Sequence, residues 1–246
     1  MLSIKLKKYA IWIPLIFLLS FSMLSYAEDS HDPLEGYNRA VFSFNDAFDR
    51  YFFKPVATFY NKVMPKPLNR GIHNAFQNIN TITTVANDLL QLHLYQMTSD
   101  LWRLALNTTI GIGGLFDVAK SMGLEPYQND FGITLARWGW QSSSYFVIPI
   151  LGPSSIRDLI SWPVDYYAFS IYPYIHPVAT RKAIILWSML DARAYQLQFQ
   201  NVLEEIAVDK YSFYRNAYLQ RRAYLIAENK KMHVIAPNNY VESAHN

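Results

Sequence analysis

Tyr37, Val41, Phe44, Phe48 and Tyr51 recur at steps of four, three, four and three, which places them on one stripe of an α-helix. That stripe is almost entirely aromatic, and its expected place is the core. The same period returns downstream. Residues 95–108 carry Met97, Leu101, Leu104 and Ala105 on one side, and residues 177–200 carry Ala183, Leu186, Trp187, Leu190, Ala194 and Leu197. Residues 209–229 carry Tyr211, Tyr214, Tyr218 and Leu225. The fold class this predicts is mainly α, in one domain with a short extended or hairpin segment.

Proline and glycine set the expected boundaries. Asp32 can cap the first helix, Pro33 suits its first position and Glu35 sits where a capping-box acid reaches back. Pro55 predicts an end near Lys54, and Pro65 and Pro67 predict a second break before residues 68–77. Further helices are expected at 83–91 and 154–160. Gly111, Gly113 and Gly114 should stop the 95–108 helix, and Ile148-Pro149-Ile150-Leu151-Gly152-Pro153 reads as extended chain with a tight turn. Residues 28–229 form the expected domain, followed by a flexible polar tail from Lys230 to the end of the chain.

The first 27 residues read as a secretory leader. Lys5, Lys7 and Lys8 precede an apolar run, and Ser25-Tyr26-Ala27 offers small residues where a leader peptidase cuts. The run is shorter than the ~20 residues a bilayer span needs. Removing this segment takes away three lysines and no acid, which cancels the formal net charge of +3. A nucleic-acid partner, which calls for a basic excess, is therefore not expected. One local imbalance persists: residues 51–87 hold Lys54, Lys62, Lys66 and Arg70 and no acidic residue. Such a run suits an anionic surface or a solvated helix face.

Cysteine is absent, so an exported chain of this kind is held together without disulfides. Aromatic residues make up 16% and charged residues only 17%, which leaves apolar surface in excess of what one core absorbs. With no long apolar segment after the leader, membrane contact is expected through helices lying within one leaflet or through a short inserted hairpin.

Catalytic patterns fail. Gly152-Pro153-Ser154-Ser155-Ile156 lacks the second glycine of a nucleophile elbow, and Ile110-Gly111-Ile112-Gly113-Gly114 lacks the lysine of a phosphate loop. The glycines are assigned instead to close helix packing or a hinge. His31, His73, His93, His176, His233 and His245 are scattered, with no helical metal pair among them. No catalytic residue, metal or cofactor is expected.

Several segments, taken in order, resemble the MlaA/VacJ family. They are Asp32-Pro33-Leu34-Glu35-Gly36-Tyr37-Asn38-Arg39, then Asn107-Thr108-Thr109-Ile110-Gly111-Ile112-Gly113-Gly114-Leu115-Phe116-Asp117-Val118-Ala119, and Asp130-Phe131-Gly132-Ile133-Thr134-Leu135. Pro149-Ile150-Leu151-Gly152-Pro153-Ser154 with Arg157-Asp158 follows, and then residues 211–222 with Arg215, Tyr218, Gln220 and Arg221. The resemblance implies a ring-like helical protein in the inner leaflet of the outer membrane, which moves phospholipid toward the periplasm and maintains lipid asymmetry without covalent chemistry. It also implies a trimeric porin and a soluble MlaC-like periplasmic carrier as partners. A soluble periplasmic lipid-binding or lipid-hydrolysing protein is the alternative.

Two departures stand out. Family members are lipoproteins with an acylated cysteine after the leader, whereas Ser25-Tyr26-Ala27-Glu28 stands here and offers no acceptor. The family's Gly-Pro-Tyr is replaced by Ser143-Ser144-Tyr145. A lipid passage needs polar groups for the headgroup, and Asp117, Arg157, Asp158, Asp191, Arg193, Arg215 and Arg221 are the candidates in or near the matched segments. Structural ion pairing between helices is the competing role for each.

Overall fold

The computed structural model describes residues 32–204 and 209–232, with side chains of residues 200–204 left aside. The leader and most of the tail lie outside the described residues. The elements are α1 (Glu35–Phe48), a π-helical turn (Asp49–Phe53), α2 (Lys54–Val63), α3 (Lys66–Leu90), α4 (Leu94–Thr109), α5 (Val118–Ser121) and α6 (Phe131–Arg137). Strands β1 (Tyr145–Ile148) and β2 (Gly152–Ser155) follow, then α7 (Ile156–Ala168), a 3-10 turn (Tyr172–Tyr174), α8 (Val178–Glu204) and α9 (Lys210–Lys231). The mainly α architecture and the hairpin at the expected extended segment are both present.

Several boundaries differ from expectation. Pro55 does not end the first helix, because the π-helical turn widens the ladder ahead of it and Pro55 enters α2 in its first turn, where a missing N–H costs little. The expected gap between residues 77 and 83 is helical too. Asn78 donates to Thr108 Oγ1 (2.9 Å) and Thr83 donates to the Phe169 carbonyl (3.1 Å), so tertiary bonds override the weak helix propensity there. Glu35 forms no capping box and instead pairs with Arg39 at 2.7 Å. Asp32 does accept from the Leu34 amide (3.1 Å). The last helix runs through Lys231, past the expected start of the tail.

Four helices start under a side-chain cap. Asp117, Asp130, Ser155 and Asp209 accept from the amides of Lys120, Ile133, Asp158 and Tyr211, respectively, at 2.9–3.2 Å. Each bond satisfies an orphan amide and stabilises its helix by ~1 kcal/mol.

The distribution of polarity is inverted relative to a water-soluble bundle. Among the described residues, buried polar or charged side chains outnumber buried apolar ones, 18 to 10. The aromatic stripe of α1 is not core: Tyr51 is 79% exposed, Phe44 lies open, and the buried residue of that helix is Asn38. In α4 the inward residues are Asp100, Arg103 and Asn107, while Leu101 and Trp102 face out. In α8 the stripe residues Leu186 and Trp187 are exposed and Ala194 is buried. Hydrophobic periodicity located most of the helices but missed α6, which lies in the stretch 123–152 where the helical signal fades; it pointed α4 the wrong way round, while the α9 stripe of Tyr211 and Tyr218 faces inward as expected.

A compact apolar cluster forms where the hairpin meets α1 and α9, with Tyr145, Val147 and Tyr211 packed against Val41, Phe42 and Tyr218. β1 and β2 pair antiparallel, with Tyr145 opposite Ser155 and Ile148 opposite Gly152. Ile150 and Gly152 take positive φ angles of 69° and 91° to close the turn. Asn38 donates to the Tyr145 carbonyl (3.1 Å) and accepts from the Val147 amide (2.8 Å). One turn pair further, Asn45 does the same for Ile148 and Ile150 (2.9 and 2.7 Å). The two asparagines therefore hold the outer edge of β1 along α1 and satisfy backbone groups that a two-stranded sheet leaves open.

Candidate functional site: an amphipathic cavity between the helices

Helices α3, α4, α8 and α9, with α5 and residues 126–130, surround a cavity of about 980 Å³. That is the upper end of the ~300–1,000 Å³ range of small-molecule pockets. Its walls differ in chemistry. The α3 wall is lined by carboxamides and hydroxyls, among them Asn74, Gln77, Asn78 and Thr81, whereas Tyr195 and Phe199 of α8 and Leu225 of α9 offer apolar surface.

Charge in the lining is positive in balance. Arg103, Lys120, Arg221 and Arg222 face the cavity against Asp117 and Asp130. Arg103 donates to both carboxylate oxygens of Asp117 at 3.1 Å and to the Leu124 carbonyl. Burial opposes ionisation of Asp117, but hydrogen bonds from Asn107, the Lys120 amide and Arg103 outweigh it and hold its carboxyl below the usual range. Arg222 binds Asp130 at 2.5 and 2.9 Å. Burial likewise works against the Asp130 carboxylate, and the Arg222 guanidinium outweighs it. With those two pairs closed on themselves, the remaining positive charges are Lys120, 4.0 Å from Glu125, and the exposed Arg221, which donates to Gln128 (2.7 Å). An anion entering the cavity meets these two first.

His73 is fixed on the opposite side. Its Nδ1 stands 2.8 Å from Oδ2 of the buried Asp191, and its ring stacks on Tyr195 with centroids 4.1 Å apart. Its Nε2 faces the Gln77 amide at 3.5 Å. Among the described residues no group of three or more histidine or carboxylate side chains is placed to hold a metal ion.

The seven polar candidates separate into groups. Asp117 and Arg221 line the cavity. Arg157 does not: it is 3% exposed and donates to the carbonyls of Trp140 (3.1 Å) and Gln141 (3.0 Å), tying α7 to the chain ahead of the hairpin. Asp158 stands behind the wall, where it accepts from Arg222 (2.8 Å), Arg157 (3.2 Å) and the Tyr218 hydroxyl. Asp191 orients His73. Arg193 is engaged with Asp49 of the π-helical turn at 2.6 and 2.7 Å. Arg215 lies over the Tyr211 ring, 6.0 Å from its centroid.

The glycines hold one wall at close range. At Gly114, with φ of 90°, a Cβ would stand 2.6 Å from Cβ of Asn78 on α3; at Gly111 it would meet the Asn107 carbonyl at 2.5 Å. Gly113, with φ of 68°, faces open space. Lys120, Arg103, Arg222 and His73 were not singled out by sequence. The signal that carries one of these positions, Arg103, is its spacing with Asp100 and Asn107, a polar stripe of helical period on a helix whose apolar residues drew attention first.

The family described as MlaA lipoprotein matches residues 30–225. The intermembrane phospholipid transport system lipoprotein MlaA of Escherichia coli is 31% identical over 202 residues, covering 79% of this chain and 78% of the relative. The protein of the same description from Haemophilus influenzae is 30% identical and covers 82% of each chain. An uncharacterized protein of Rickettsia prowazekii is 34% identical over 196 residues, 78% of this chain and 76% of the relative. A solved structure described as the structural basis for maintenance of bacterial outer membrane lipid asymmetry superposes with a TM-score of 0.67 at 29% identity, over 80% of this chain and 99% of the other.

Proposed function

The chain belongs to the MlaA lipoprotein family, and from that premise we infer that it is a phospholipid trafficking protein that maintains lipid asymmetry of the outer membrane. The observation that carries this role is the inverted polarity around a charged, amphipathic cavity. Exposed Phe44, Tyr51, Phe59, Trp102 and Trp187 form an exterior suited to acyl chains, and the interior holds the amides and paired charges. Among the described residues no helix is long and apolar enough to cross a membrane. On this reading the protein sits within the inner leaflet by its own apolar surface.

In this mechanism a mislocalised phospholipid enters with its phosphate toward Lys120 and Arg221 and its acyl chains along Tyr195, Phe199 and Leu225. The headgroup stays solvated by the carboxamides of α3 while the chains avoid water, so no step pays the full cost of exposing either part. Asp117 holds Arg103, and Asp158 holds Arg222 and Tyr218, so the walls keep their charge in place. No bond of the lipid is made or broken. A trimeric porin and a soluble MlaC-like periplasmic carrier complete the route, as the family resemblance implies. On this reading the leader is cleaved after Ala27; the 246-residue sequence offers no cysteine for acylation.

Complementation of a strain lacking this gene tests the role. Outer-leaflet phospholipid should accumulate without the protein and return to normal with it, while released fatty acid stays unchanged. Restoration accompanied by a rise in free fatty acid, or recovery of the protein chiefly in the soluble periplasmic fraction, would favour a soluble lipid-binding or lipid-hydrolysing protein.

A further inference from the structure

The cations of the acid-free stretch from residue 51 to residue 87 find no use in the cavity mechanism. Three of its cations, Lys62, Lys66 and Arg70, succeed one another at four-residue steps around the elbow where α2 ends at Val63 and α3 begins at Lys66. All three are exposed, and none forms an ion pair among the described residues. That sets them apart from Arg39 of α1, closed onto Glu35 and Asp209, and Arg50 of the π-helical turn, closed onto Asp46.

The cations are interleaved with apolar side chains. Phe59 is 67% exposed, and Val63 and Leu68 also lie open. The opposite face of α2 is already occupied: Ala57 is buried, Asn61 donates to the Ala194 carbonyl of α8 (2.8 Å), and Tyr60 meets Trp187. The elbow thus presents an outward face that is apolar with a cationic fringe, whose long lysine and arginine stems can lie along the apolar part while their heads reach water.

We propose that the α2–α3 elbow is a binding surface for anionic phospholipid headgroups of the surrounding leaflet, with Phe59 and Val63 among the acyl chains and Lys62, Lys66 and Arg70 on the phosphates. The proposal rests on the membrane residence argued above and adds a lipid preference to it. A polybasic patch joined to an inserted apolar face is one of the two-signal arrangements that give stable anchoring. Such an arrangement suits a sequence that offers no cysteine for acylation. A purely protein partner fits less well, because the apolar side chains alternate with the charges instead of forming a separate dry centre.

The test uses the full mature chain, released from detergent into preformed liposomes of phosphatidylcholine alone or with phosphatidylglycerol added, at rising salt. Each cation near an anionic surface strengthens binding by about fivefold, so the three together should give a preference on the order of 100-fold at low salt. The variant carrying Lys62→Gln, Lys66→Gln and Arg70→Gln should lose that preference and its salt dependence while keeping its association with neutral liposomes. A control carrying Lys182→Gln, Lys230→Gln and Lys231→Gln should keep both. A retained preference in the elbow variant, or an equal loss in the control, would overturn the proposal. Equal binding of the unaltered protein to both liposomes would refute the elbow alone, whereas binding to neither would remove the membrane residence with it. Loss of a co-purifying protein with lipid preference unchanged would reassign the elbow to an acidic protein surface.

Discussion

Arg222 of α9 donates to the Asp158 carboxylate of α7 at 2.8 Å, joining two helices 64 residues apart in sequence. Gly132 of α6 lies so close beneath them that a Cβ there would collide with the Asp158 oxygen and stand 2.8 Å from the Arg222 guanidinium. Breaking a buried pair of this kind by removing one partner costs about 3–5 kcal/mol. Gly132→Ala and Arg157→Glu should therefore both lower the amount of folded protein. Detergent-solubilised yield and thermal unfolding read this out. If Arg157→Glu folds normally yet loses transfer, Arg157 touches lipid after all.

The glycines after α4 should not be equivalent. Gly114→Val places a branched side chain against Asn78 and adds positive-φ strain of roughly 1–2 kcal/mol, so the α3 wall must move. Gly113 faces open space, and Gly113→Asn, which tolerates positive φ, should change stability by only a few tenths of a kcal/mol. Unfolding midpoints of the two variants, with outer-leaflet phospholipid as a second readout, separate a packing glycine from a permissive one. Equal effects would contradict the distinction.

Asp88 of α3 and Asp100 of α4 face each other in the interior, each with one carboxylate oxygen lacking another partner. Asn129 donates to Asp88 (2.6 Å), Gln96 donates to Asp100 (2.9 Å), and Arg103 and Tyr127 are the neighbouring titratable groups. Burial, reinforced by its neighbour's charge, pushes Asp88 up to about 7, and burial raises Asp100 as well. The native pair holds protons that the unfolded chain gives up. Its stabilising contribution is thus complete below about pH 4 and is lost as pH rises through about 7, by a few kcal/mol. Asp88→Asn should flatten the fall in unfolding midpoint between pH 5 and pH 8. An unchanged slope would mean that the two carboxyls do not share a proton.

Sequence periodicity disclosed most helices because side chains repeat along a helix whichever face is buried. It misassigned the orientation of α4 and of part of α1 because inward and outward stripes have the same period and the same composition. Leu101 on α4 illustrates this, with the buried Arg103 on the opposite face; on α1 the buried Asn38 lies about 100° round from Tyr37. Of the site, Asp117 and Arg221 were legible through the family segments that contain them. Arg222, though inside the same segment, was passed over because its partners Asp130 and Asp158 are 92 and 64 residues away, and His73 and Lys120 were not legible, since the contact of His73 with Asp191 spans 118 residues and leaves no local pattern. Pro55 misled for a related reason: the π-helical turn ahead of it meets α8 through the Arg193 to Asp49 pair, a contact 144 residues apart in sequence.

The exposed aromatic exterior makes a separable claim. Phe52→Ser with Phe59→Ser removes two large apolar side chains that contribute little to the described packing, so the fold in detergent should lose less than about 1 kcal/mol. Resistance of the membrane-bound protein to extraction should fall. Unfolding in detergent and recovery after a high-salt wash distinguish the two effects; a large loss of stability with normal retention would show that these rings belong to a core.

The passage itself is tested most directly by plugging it. Since the sequence holds no cysteine, Ala192→Cys places a single thiol in the cavity lining, and Ala105→Cys places one on the exposed face of α4. Each variant is labelled with a bulky maleimide in detergent and reconstituted, and transfer of labelled phospholipid from the vesicle to the soluble carrier is measured. Labelling at position 192 should cut transfer by at least about tenfold, the equivalent of ~1.4 kcal/mol on the barrier, while labelling at position 105 leaves it near the unlabelled rate. Undiminished transfer with position 192 fully labelled would contradict a lipid path through this cavity.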